Sequence, residues 1–196
     1  MAFDIVMFGA FTIPETNVEA WLSTPIEPES FSWLEDVAGE PPTQDTPEAL
    51  VTALQALVCA PHEFLSLSLH EGRVQLQAYL SEDRYREAAQ AVALLTASAA
   101  DFGGVGEVHF MGYQGIRFAE RFTLRGGRAT FARLTAEQLS ALEHRPAFQL
   151  LEVRIHERFD ALVGRPSIGD ARGSQWVVNP FTGRKVRAAT GPGLRS

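Results

Sequence analysis

The chain has 196 residues, a mass of 21.5 kDa and a net charge of −7, with 45% hydrophobic and 21% charged residues. These values suit one domain of about 150 residues with a tail, exclude a wholly disordered chain, and leave no apolar run near the roughly 18–20 residues of a membrane span. A single cysteine, Cys59, excludes an internal disulfide and any multi-cysteine zinc site.

Residues 3–13 are an apolar run ended by Pro14 and read as a buried strand. Val18 to Leu22 predict a short helical turn around Trp21. Pro25, Pro28, Gly39, Pro41 and Pro42 then break the chain into a long loop, with Phe31 and Trp33 as its anchors on the body. Thr46-Pro47-Glu48 is a helix start, with an N-cap before a proline at the first helical position. Leu50, Leu54, Leu57 and Val58 fall on one face of that helix, which is expected to end near Ala60-Pro61. Residues 63–70 and 73–80 alternate apolar and polar side chains around His70-Glu71-Gly72-Arg73, the pattern of a β-hairpin. A second helix is expected from Ser81 to about Asp101, with Tyr85, Ala88, Val92 and Leu95 as its core stripe.

Beyond Gly103, Gly104 and Gly106, strands are expected at 107–111, 117–124 and 128–133, the last two joined by Gly126-Gly127. Thr135-Ala-Glu-Gln138 is a capping box that opens a third helix. Pro146 opens a fourth, in which Phe148, Leu151, Ile155, Phe159 and Leu162 recur at helical spacing before Gly164 and Pro166. This order implies an α+β domain over 1–164, a mainly antiparallel sheet with helices packed on one face. Residues 165–175 read as a linker, and 176–196 as a basic tail with a hairpin-like turn.

Charge divides the chain into three zones. Residues 1–72 hold twelve acidic residues and no Lys or Arg, 73–164 hold eleven of each sign, and 165–196 carry a net +5. The acidic third repels nucleic-acid phosphate, so nucleic acid is not an expected partner; it could instead attract a basic protein, or simply keep the domain solvated.

Local signatures of catalysis are missing. The His-Glu dipeptides at His62, His70 and His156 lack the second His of a zincin helix, and His156 with Asp160 reads as an ion pair. Cys59, three residues before His62, lies in the segment without basic residues and reads as a small core side chain, not an activated thiolate. Gly104-Val-Gly106 follows a helix, the wrong setting for a dinucleotide loop, and there is no Walker A, G-x-S-x-G or EF-hand pattern. Neither a cofactor nor a metal is expected. An active site built from distant residues would need two or more of His62, His70, His109 and His156 in one pocket.

In the tail, Asn179-Pro180 and Gly183 encode a tight turn between Trp176-Val-Val178 and Arg184-Lys-Val-Arg187. Asn179, Pro180, Phe181, Thr182, Gly183, Arg184 and Val186 resemble the Asn-Pro-x-Thr-Gly-Arg-x-Ile/Val motif of two-cysteine adaptor domains from large DNA viruses. That resemblance implies a protein-interaction segment centred on Trp176 and Asn179–Arg184. The cysteines that name the family are absent, so the resemblance carries no metal or disulfide role. A plain structural turn is the competing reading.

As a small, acidic α+β chain without catalytic motifs, the protein resembles bacterial toxin-immunity proteins in style. The resemblance implies a non-catalytic protein that occludes a basic toxin. Glu27, Glu29, Glu35, Asp36, Glu40 and Asp45 would pair with the basic cleft, and Phe31 and Trp33 would be the buried anchors. The alternative is an adaptor or assembly subunit that docks through its C-terminal turn. No basic, signal-like stretch opens the chain, so a cytoplasmic protein is expected, with homo-oligomerisation left open.

Overall fold

The computed structural model describes residues 4–27, 46–113, 117–163, 176–178 and 185–187. Strand β1 (Asp4–Thr12) is followed by helix α1 (Glu15–Ser23), helix α2 (Pro47–Ala56), and strands β2 (Phe64–His70) and β3 (Arg73–Ser81). Helix α3 (Tyr85–Ser98) leads to β4 (Val105–Tyr113), β5 (Ala119–Arg125) and β6 (Arg128–Arg133), and then to α4 (Ala136–Glu143) and α5 (Pro146–Val163). The six strands form one antiparallel sheet in the order β2-β3-β1-β4-β5-β6. The fold is therefore α+β with an antiparallel sheet, as the sequence implies. Two short strands, β7 (Trp176–Val178) and β8 (Lys185–Arg187), pair antiparallel in the tail.

The helices do not share one face, which corrects the sequence reading. Ile5, Met7 and Phe11 of β1 point into a large core with Trp21 of α1, Leu50 and Leu54 of α2, and Val92 and Leu95 of α3. Val6 and Phe8 point the other way, into a second core with Leu139 and Leu142 of α4 and Phe148, Leu151 and Ile155 of α5. Successive strand side chains alternate faces, so the unbroken apolar run Ile5-Val-Met-Phe8 requires cover on both sides.

Local chemistry explains the element boundaries. The Thr46 hydroxyl accepts from the Ala49 amide at 3.2 Å, and Pro47 takes the first helical position of α2. Helix α2 stops at Ala56, earlier than expected, because the Glu63 carboxylate takes the Cys59 and Ala60 amides at 2.7 Å each. The same carboxylate accepts from the Ser81 amide and hydroxyl at 3.0 and 2.6 Å. Ser81 is thereby held as the end of β3, and α3 begins later than its sequence suggests. Residues 91–100 are all buried, and the small alanines among them let α3 approach both the sheet and α2. Trp21 is tied to α3 by its indole N–H, which donates to the Ser98 hydroxyl at 2.9 Å.

The centre of the sheet depends on a glycine pair. Gly9 and Gly106 both have φ of +152°. A Cβ on Gly9 would lie 2.3 Å from the Glu107 carbonyl oxygen, and one on Gly106 would lie 2.3 Å from that of Ala10. Only glycine permits β1 and β4 to approach this closely.

In α5 the expected stripe holds for Phe148, Leu151 and Ile155, but Phe159 lies at the rim, ring-stacked on His62 at 5.6 Å. No described helix is long and apolar enough to cross a membrane.

Candidate functional site

Of the acidic loop residues proposed to meet a partner, Glu27 is described and is exposed, following the buried Ile26. Glu29, Phe31, Trp33, Glu35, Asp36, Glu40 and Asp45 lie outside the described residues. So do Asn179, Pro180, Phe181, Thr182, Gly183 and Arg184, whereas Trp176 pairs with Arg187 across β7 and β8.

Other carboxylates of the acidic third are in place. The Ile13 amide donates to the Gly72 carbonyl at 2.8 Å, which sets the β2–β3 turn, with Glu71 at φ +50°, beside the start of α1. Glu15 and Glu19 of α1 and Glu71 of the turn are exposed and make no ion pair among the described residues. Glu15 lies in the first turn of α1, where the helix dipole favours a negative charge; Glu19, one turn further along, has no such compensation.

Cys59 is not a core residue. It is exposed, and the Arg84 guanidinium lies 3.6 Å from its sulfur, supplying from β3's far end the positive charge its own segment lacks. Cys59 lies beyond the end of α2 at Ala56, with its amide held by the Glu63 carboxylate and its side chain towards solvent.

The second face of the sheet is covered by α4 and α5 only in part. Beyond Phe8 it turns polar, with Arg73, Gln75 and Gln77 on β3, Glu107 and His109 on β4, and Arg121 on β5. A cavity of about 210 Å³ opens there and includes Phe8, Arg73, Gln77, Glu107, His109 and Arg145 in its lining. His109 is 2% exposed, stacked on Phe8 with ring centroids 5.3 Å apart. Its Nε2 lies 3.8 Å from a Glu107 carboxylate oxygen, and its Nδ1 is buried without a hydrogen bond.

Burial pushes the His109 pKa down to about 4. Glu107 opposes that shift, Arg145 and Arg121 add to it, and the Phe8 backbone favours the protonated ring most weakly. The imidazole is therefore neutral near pH 7. Glu107 is also partly buried, but the Arg145 guanidinium bonds it directly and keeps its carboxyl below the ordinary value. Arg154 donates at 2.9 Å to the side-chain oxygen of Gln77, itself part of the cleft lining.

Glu107 escaped the sequence reading, and His109 entered it only as one of four dispersed histidines. The available signal was a charged and an ionisable residue at i and i+2 on a strand, hence on one face. That signal gains meaning only once Phe8 and Arg121 are known to flank it.

A second cavity, of about 510 Å³, includes Tyr113, Arg117, Glu143, His144 and Phe148 in its lining, with Arg117 bonded to both Glu143 carboxylate oxygens at 2.6 Å. The four histidines weighed for an assembled active site are dispersed: His109 is in the cleft, His62 is against Phe159, and His70 and His156 are exposed. Among the described residues no group of three or more His, Cys, Asp or Glu is arranged to hold a metal ion. The chain matches no family model, no curated protein and no solved structure.

Proposed function

We propose that the chain is a cytoplasmic, non-catalytic protein-binding domain that occludes a basic partner through its acidic first third, in the manner of a toxin-immunity protein. The observation that carries the reading is the cluster of Glu15, Glu19 and Glu71. These are exposed carboxylates without ion pairs among the described residues, at one end of the sheet, in a segment that contains no Lys or Arg. Unpaired surface charge of one sign accelerates encounter with a partner of the opposite sign and selects against like-charged ones. Trp33 would supply the anchoring contact, and Trp33→Ala is expected to cost about 2 kcal/mol or more of affinity.

A second reading, docking through the tail, is supported by the pairing of Trp176–Val178 with Lys185–Arg187. One experiment separates the two. The full chain and a chain ending at Gly164 are used to capture partners from source-cell lysate, at low salt and at about 0.15 M salt. A basic protein held by both, weakened by salt and by the combined changes Glu15→Gln, Glu19→Gln and Glu71→Gln, supports the first reading. A partner lost on truncation supports the second.

A further inference from the structure

The open part of the second sheet face carries more positive charge than its own carboxylate uses. Arg73 is exposed and makes no ion pair or side-chain hydrogen bond among the described residues. Arg121, directly across from His109, is half-buried with its Nε out of contact with solvent and without a hydrogen bond. Arg145 is engaged by Glu107. The floor is Phe8 and the ring of His109, which repels no anion while it stays neutral and lowers the local polarity around the guanidinium groups. Guanidinium groups bind carboxylate and phosphate oxygens in pairs of parallel hydrogen bonds.

We propose that this cleft binds an oxyanion, the carboxylate or phosphate group of a small molecule, between Arg73 and Arg145, with Glu107 occupying Arg145 in the free protein. The cavity's volume of about 210 Å³ lies below the roughly 300–1,000 Å³ of sites that enclose a drug-sized ligand. The cleft therefore takes a headgroup, and the remainder of the ligand lies along the exposed strand residues Gln75 and Thr12. The site is independent of the acidic cluster, and its failure would leave the protein-binding reading untouched.

The test is an NMR titration of the ¹⁵N-labelled full chain with inorganic phosphate and, separately, with succinate, at ionic strength held constant with sodium chloride. Saturable shifts are expected at the amides of Ala10, Gln75 and Glu107, and the anion that saturates identifies the headgroup. Arg73→Gln, an exposed change that removes no core contact, is expected to weaken binding about fivefold. Glu107→Gln is expected to tighten it by a similar factor, about fivefold, because it releases Arg145. Arg128→Gln, on the β5–β6 turn, is expected to change nothing. Shifts that do not saturate with either anion, or affinities unchanged in both the Arg73 and Glu107 variants, overturn the proposal.

Discussion

The same strands present two very different faces. Towards α1, α2 and α3, the sheet offers Ile5, Met7, Phe11, Val74, Leu76, Leu80, Val108, Phe110, Phe122 and Leu124 to one continuous core. Towards α4 and α5 it offers a small core around Val6, Phe8, Tyr79 and Met111, and beside it a cleft of arginine, glutamine and a buried histidine. The first face holds the fold together. The second gives up part of its burial and gains polar groups whose hydrogen bonds and charges are incompletely used, the ordinary setting of a binding surface.

Cutting into the first face should cost the most stability. Phe110 is fully buried and packs edge-on against Phe122 at 5.6 Å. Phe110→Ala is expected to cost about 3–5 kcal/mol in urea unfolding. A loss below about 1.5 kcal/mol, the level of a tolerated core swap, would mean that the first face does not carry the stability.

The second face should reveal itself through pH. His109 has its pKa lowered from 6.5 to about 4 in the folded chain, so between those values the unfolded state binds the extra proton. Its contribution is complete above pH 6.5 and is lost as pH falls towards 4, a total of about 3 kcal/mol. Glu63 and Glu107, both held below 4.5, begin to lose their contributions only from about pH 4.5 downward, at the foot of that window. His109→Gln should flatten the stability profile between pH 6.5 and 4, and an unchanged slope would show that another group is titrating.

Smaller effects belong to the edges of the second face. The capping box of α4, with Thr135 and Gln138 bonding each other's amides at 3.3 and 2.9 Å, sets how α4 lies on the sheet. Thr135→Ala is expected to lower stability by about 1 kcal/mol, read from the urea midpoint at constant slope. Arg117→Ala removes a largely exposed pair with Glu143 and is expected to cost less than about 1 kcal/mol. A larger cost would make the wall of the larger cavity a structural element of the fold.

Much of the architecture is legible in particular residues. Thr46-Pro47 and Thr135-Gln138 mark helix starts that the structure keeps, and Gly126-Gly127 marks the β5–β6 turn. The two-sided cover of β1 is also written in Ile5-Val-Met-Phe8, but strand alternation alone does not say which helices supply it. Glu63 reads as one of several carboxylates, and only the fold brings the amides of Cys59 and Ser81 to it. The cleft is less legible still. Phe8, Arg73 and His109 come from three strands and Arg145 from the α4–α5 turn, so no local spacing announces them.

Glu63 also has a consequence for motion. Its one carboxylate shields the amides of Cys59, Ala60 and Ser81, which belong to two segments about twenty residues apart. These three amides should therefore exchange with solvent as a unit, opening together rather than singly. Acidification that protonates Glu63 weakens the shared acceptor, so the segment after α2 and the end of β3 would loosen in the same event.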